Sequence, residues 1–119
     1  QILEKTSCLD IGQSVVVEAG QVLGIETAQG TKQMLEYVRA TPSILRRVGG
    51  GVLVKREKIN QDLRVDMPTI GPETIRQVHE AKLDAVIISP NTVIVINQDE
   101  CFRLCKKFSL SFIVRERTK

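Results

Sequence analysis

The chain has 119 residues, enough for one domain with a proper core, and its 42% hydrophobic and 26% charged residues are those of an ordinary globular protein. Three Phe, one Tyr and no Trp argue against the stacked-ring platforms that hold single-stranded nucleic acid, and leave a core of Val, Ile and Leu. The net charge of +3 is mild and gathers near the end, at Lys106, Lys107, Arg115, Arg117 and Lys119, which reads as a solvated terminus.

Cys8, Cys101 and Cys105 form no CxxC pair, and with a single His they do not make a zinc site. An odd number of free thiols suits a reducing compartment. The longest apolar runs, Ala85 to Ile88 and Val93 to Ile96, have the length of strands, not membrane spans. The chain starts at Gln1 without Met; residues 1–9 read as a linker or the end of a preceding segment, and residues 10–115 as the domain itself.

In chain order, Ser14 to Glu18 and Val22 to Glu26 are β-branched and apolar, and Ala19-Gly20 between them predicts a hairpin. Gly30-Thr31 opens a helix with Thr31 as its cap; Met34, Leu35 and Val38 share one face and Pro42 marks the end. Ile44 to Val48 is ambiguous. Gly49-Gly50-Gly51 precedes a short strand, Val52 to Lys55, and a second strand is expected at Asp62 to Asp66. A helix from Pro72 to Lys82 presents Ile75, Val78 and Ala81 to the core. Ala85 to Ser89 and Thr92 to Ile96 flank Pro90-Asn91, which predicts a second hairpin. Asn97 with Glu100 resembles a capping box for a helix reaching Lys107, on which Cys101, Leu104, Cys105 and Phe108 share an apolar face as buried, unreactive thiols and their neighbours. Leu110 to Val114 is the last strand. The expected fold is α/β (mixed α+β): a mixed sheet with two hairpins and about three helices in a single compact domain.

The densest chemistry lies in Gln61-Asp62-Leu63-Arg64-Val65-Asp66-Met67-Pro68-Thr69-Ile70-Gly71-Pro72. In an extended strand, Asp62, Arg64 and Asp66 fall on one face and the apolar residues on the other. A turn and a helix N-terminus follow, and helix N-termini attract anions. The same alternation also describes a plain solvated edge. Two carboxylates without nitrogen or sulfur donors suit magnesium or manganese. Asp62 and Asp66 would stand about 13 Å apart in a straight strand, so one ion reaches both only if the segment bends. Arg64 can clamp a phosphate or pair with its acidic neighbours. Gly49 to Gly51 either let the backbone approach a phosphate or only connect two elements. Thr69 and Gly71 can donate to an anion or cap the helix, and Asp10 and Glu26 are either site acids or turn formers. His79 reads as a surface or boundary residue.

Together, Asp10-Ile11-Gly12-Gln13-Ser14-Val15-Val16-Val17, Gly30-Thr31, Gly49-Gly50-Gly51-Val52-Leu53-Val54-Lys55 and the Gln-Asp-x-Arg-x-Asp-x-Pro-x-x-Gly segment at Gln61 to Gly71 resemble the C-terminal domain of the LpxI-type UDP-2,3-diacylglucosamine pyrophosphatases. The resemblance covers roughly Asp10 to Asp99. It implies a cytoplasmic enzyme of lipid A synthesis, peripheral at the bacterial inner membrane, that hydrolyses UDP-2,3-diacylglucosamine to a lipid monosaccharide phosphate and UMP with Mg2+ or Mn2+. It implies catalytic and metal-binding roles for Asp62 and Asp66. Substrate-binding roles follow for Lys55, Arg64, Thr69, Gly71, Gly12, Gln13, Gly30 and Thr31. The family carries a further N-terminal domain, expected here as a missing partner, and the resemblance allows a homodimer. One departure stands out: the acids that flank Gly-Thr in the family are Gln29 and Lys32 in this chain. Two other readings stand beside the enzyme: a non-catalytic nucleotide-sugar binding module, and a structural interaction domain whose charged strand is only an edge.

Overall fold

The computed structural model describes residues 14–46, 50–56, 68–90 and 92–115. Strands β1 (Ser14–Glu18) and β2 (Gln21–Ile25) form the expected hairpin. Ala19 and Gly20 both have positive φ, 50° and 81°, as a two-residue type I′ turn requires. A bulge at Val16/Val17 shifts the pairing, so that Val17 opposes Val22 and Val15 opposes Ile25. Helix α1 (Thr31–Arg39) and a short 3-10 turn (Ser43–Leu45) then lead to β3 (Val52–Lys55).

β1 lies between β2 and β3, antiparallel to both. From β3 onward the sheet is parallel. β3 leads through β4 (Thr69–Ile70) and α2 (Pro72–Glu80) to β5 (Ala85–Ile88), and β5 leads through β6 (Ile94–Val95) and α3 (Gln98–Phe108) to β7 (Ser111–Val114). The five-stranded sheet has the order β2-β1-β3-β5-β7, and β4 pairs with β6 in a separate two-stranded parallel ribbon. The expected mixed architecture is therefore present. The second hairpin is not: Ala85–Ile88 is a central parallel strand and Ile94–Val95 leaves the sheet to pair with Thr69–Ile70. The reason is burial on both faces. Ala85, Val86 and Ile88 are buried and Ile87 is half-buried, the continuous apolar run of an interior parallel strand.

A single row of side chains crosses the sheet under the helices: Val16 opposite Leu53, Leu53 beside Val86, Val86 beside Phe112. Leu35 and Val38 of α1, Ile75 and Val78 of α2, and Cys101 and Leu104 of α3 close over that row, all within one core cluster. α1 packs on α2 and α2 on α3, so the three helices form one layer. The two thiols of α3 are buried as expected, and burial pushes both above the usual cysteine range. His79 is exposed as expected and stacks on the ring of Phe108 at 4.0 Å between centroids.

Two expected caps are replaced. Gly30, not Thr31, is the N-cap of α1, with φ of 95°, and Thr31 becomes the first helical residue. Asn97 precedes α3 in the left-handed region, φ 52°, and its side chain caps nothing.

Candidate functional site

Because β3, β5 and β7 are parallel and each is joined to the next through a helix, α2 and α3 begin at the carboxyl ends of the strands. β2 runs in the same direction, since both it and β3 oppose β1, so α1 begins at that end too. This is the end at which open α/β sheets bind ligands. Lys55, Arg56 and Ser89 lie there and are all buried.

The centre of this end is a polar cluster built by three segments far apart in sequence. Lys55 Nζ donates to Thr31 Oγ1 at 2.8 Å, and Thr31 Oγ1 in turn donates to Glu26 Oε1. The Lys55 ammonium stands 4.0 Å from the same carboxylate, with 7% and 12% of the two side chains exposed. Thr31 can make this bridge because Gly30 has taken over the capping conformation; a Thr at the cap would turn its oxygen to the helix amides instead. α1 has no side-chain cap and no acid in its first turn, so the positive end of its dipole stays uncompensated by its own residues. Burial lowers the Lys55 pKa from its ordinary 10.5, and the Glu26 carboxylate partly restores it.

Ser14 completes the cluster. It is the Cα partner of Lys55 across the β1–β3 pair, so the two side chains stand side by side on the helix-facing surface of the sheet. Its carbonyl accepts the Glu26 N–H at 2.9 Å. Its side chain is fully buried. Sequence reasoning passed over Ser14; the only signal was a hydroxyl opening a strand whose middle is three Val.

Of the residues expected at the site, the structure brings together Lys55, Thr31 and Gly30. Thr69 and Gly71 belong to β4 and the N-cap of α2, at the same end of the sheet; Thr69 is exposed, and the Gly71 N–H donates to Thr74 Oγ1 at 3.4 Å. Among the described residues no hydrogen bond joins either to Lys55. Gly12, Gln13, Asp62, Arg64 and Asp66 lie outside the described residues, as do Asp10 and Gly49. Among the described residues no cluster of three or more His, Cys, Asp or Glu could hold a metal ion. Of the two readings of the triple glycine, phosphate approach or a plain connection, Gly51 fits the connection. That residue precedes β3, about 13 Å along the strand from Lys55, at the opposite end of the sheet. A Cβ there would come within 2.8 Å of Leu83 Cδ2 and 3.0 Å of Glu18 Oε2, so glycine serves close packing.

A cleft of about 590 Å³ lies apart from this cluster. It is a mainly apolar groove between the outer side of β2 and α1, walled by Ile25, Met34 and Tyr37. The buried Lys55 and its partners Thr31 and Glu26 do not line it.

The family model of the LpxI C-terminal domain matches residues 1–113. The chain is 38% identical over 94 residues to the UDP-2,3-diacylglucosamine pyrophosphatase LpxI of Caulobacter vibrioides, a match covering 76% of this chain and 34% of that protein. Among solved structures, the dCMP deaminase of cyanophage S-TIM5, crystallised with dCMP and dUMP, shares the fold with a TM-score of 0.55 at 11% identity, over 96% of this chain and 91% of that one. At that identity the likeness concerns the fold alone.

Proposed function

Since the chain belongs to the LpxI C-terminal domain family, we propose that it forms part of a hydrolase that cleaves the diphosphate of UDP-2,3-diacylglucosamine to 2,3-diacylglucosamine 1-phosphate and UMP in lipid A biosynthesis. The observation that carries this reading is the Glu26–Thr31–Lys55 cluster at the carboxyl ends of the strands. It assembles a cation, a polarised hydroxyl and a helix N-terminus where a diphosphate would need them. The chain spans 34% of the length of its relative, so substrate binding would be shared with a further domain.

In this reading Lys55 faces a phosphate oxygen and neutralises charge that builds as the P–O bond to the leaving group breaks. Its position is fixed by Thr31 and Glu26, so little reorganisation is needed as that charge appears. A low-dielectric surround strengthens the effect, since Lys55 is 6% exposed. Arg64, Thr69, Gly71, Gly12 and Gln13 would add contacts to the phosphates. Asp62 and Asp66 are oxygen donors, the ligand chemistry that fits Mg2+ or Mn2+, and such an ion would polarise a phosphoryl oxygen when bound. A lipid product would suit a peripheral enzyme at the cytoplasmic face of the inner membrane. No helix among the described residues is long and apolar enough to cross a membrane.

The test is a UMP-release assay on UDP-2,3-diacylglucosamine, with magnesium, manganese or EDTA, using this chain and a protein that joins it to the remaining length of the family. Metal-dependent UMP is expected from the longer protein, and Asp62→Ala or Asp66→Ala should lower it by orders of magnitude with circular dichroism unchanged. Full activity in both variants would remove the assignment of these acids. Saturable UDP binding without turnover in the longer protein would favour a binding module instead.

A further inference from the structure

Ser14 Oγ is the one buried side-chain oxygen or nitrogen that makes no hydrogen bond among the described residues. A buried hydroxyl without a partner is costly, and such groups are retained where a ligand or ion supplies the partner. The groups around it are mostly donors. Lys55, its cross-strand partner, uses one N–H on Thr31. The first-turn amides of α1 have no side-chain cap. Among the described residues the acid here is Glu26, which accepts from the Thr31 hydroxyl and faces the Lys55 ammonium. An unpartnered hydroxyl beside a buried ammonium that itself reaches the first residue of α1, with the Glu26 carboxylate already engaged, suits an oxyanion that offers several acceptor oxygens.

We infer that Ser14, Lys55 and the N-terminus of α1 form a phosphoryl-binding subsite in which the Ser14 hydroxyl donates to one phosphoryl oxygen. Glu26 acts as a positioning residue that holds Thr31 and Lys55 in place. This deepens the diphosphate reading and rests on it for the carrier of the phosphoryl group, which is free phosphate, a nucleotide or a lipid phosphate. The hydroxyl is a specificity device: it has no role in holding the empty fold together, and it contributes only when a phosphoryl oxygen arrives.

The experiment compares the wild-type chain with Ser14→Ala by thermal unfolding and by 31P NMR titration with inorganic phosphate, UMP and UDP at constant ionic strength. In phosphate-free buffer Ser14→Ala should melt at the same temperature as wild type or higher, because an unsatisfied buried group is removed. Its affinity for phosphate and UDP should fall about tenfold or more, and the ligand-induced rise in Tm should fade with it. Lys55→Met should abolish that rise. A drop of several degrees in ligand-free Tm for Ser14→Ala, with phosphate affinity unchanged, would show a structural hydroxyl and overturn the subsite. So would a wild-type chain that responds to none of the three ligands. Phosphate binding that depends on Ser14, together with a longer protein that releases no UMP, would keep the subsite and strike only the diphosphate hydrolysis.

Discussion

The two ends of the sheet each bury a carboxylate beside a cation, and they solve the problem differently. At the end where β3 begins, Glu18 is fully buried and Arg46 grips it with both prongs, Nε at 3.0 Å and Nη2 at 2.8 Å. Further Arg46 donors go to the carbonyls of Val38, Ala81 and Lys82. At the end where β3 finishes, Lys55 and Glu26 stand 4.0 Å apart with Thr31 between them, and Ser14 beside them is unmatched. A saturated buried network is structural, because every donor and acceptor is spent on the fold. An unsaturated one keeps donors in reserve, and that reserve is what a ligand can use.

The contrast can be broken hardest at the saturated end. Arg46→Met leaves the Glu18 charge buried without its bidentate partner, and should cost about 3–5 kcal/mol, read as a lower urea midpoint at unchanged m-value. Gly51→Ala should cost about 1–3 kcal/mol, because its Cβ presses on Leu83 and Glu18. If either change were neutral, the network would not be the clasp described.

The other end should behave in the opposite way. Lys55→Met removes a buried ammonium whose partner is only loosely engaged, and should change stability by less than about 1 kcal/mol in either direction at neutral pH. The pH dependence has a definite sign. Burial holds the folded-state pKa of Lys55 below the 10.5 of an unfolded lysine, so between those values the unfolded chain binds more protons. Wild-type stability should therefore rise with pH through that alkaline window, relative to Lys55→Met, and level off above 10.5. Paired urea titrations across the window check this; a relative fall would contradict the burial of a charged Lys55.

The smallest expected effect lies in the β1–β2 turn, which follows Glu18 at the far end of β1 from Ser14. Ala19 holds φ of 50°, a conformation Asn adopts more readily, so Ala19→Asn should stabilise by about 0.5–1 kcal/mol. It should leave ligand binding untouched.

What could be read from the chain follows from the range of the interactions. The first hairpin and the helix at Pro72 are announced by local residues, the Ala19-Gly20 pair and a proline suited to a first turn, and both form. Pro90 with its neighbour carries the same kind of local signal, yet the chain leaves the sheet there. β5 has parallel partners on both sides, and that pairing is fixed by β3 and β7, tens of residues away. The site divides in the same manner. Lys55, Gly30 and Thr31 lie in segments whose resemblance to a family marks them, and two of these are hydrogen-bonded together. Ser14 is invisible until the antiparallel register sets it opposite Lys55, and the Glu18–Arg46 pair spans 28 positions without any local sign. Thr31 was legible as a helix-start residue but not as a bridge, because only the left-handed backbone of Gly30 releases it from capping.

On the proposed function, the unsaturated end of the sheet holds the phosphoryl chemistry and the saturated end supports the fold. The direct measurement is UMP release from UDP-2,3-diacylglucosamine by the longer protein carrying Lys55→Met, compared with wild type and normalised to folded protein by its melting curve. A loss of about a hundredfold or more in kcat/KM with Tm nearly unchanged is expected if Lys55 faces the reacting phosphate, since a buried charge so placed is worth several kcal/mol. Wild-type rates in Lys55→Met, with the fold intact, would contradict it.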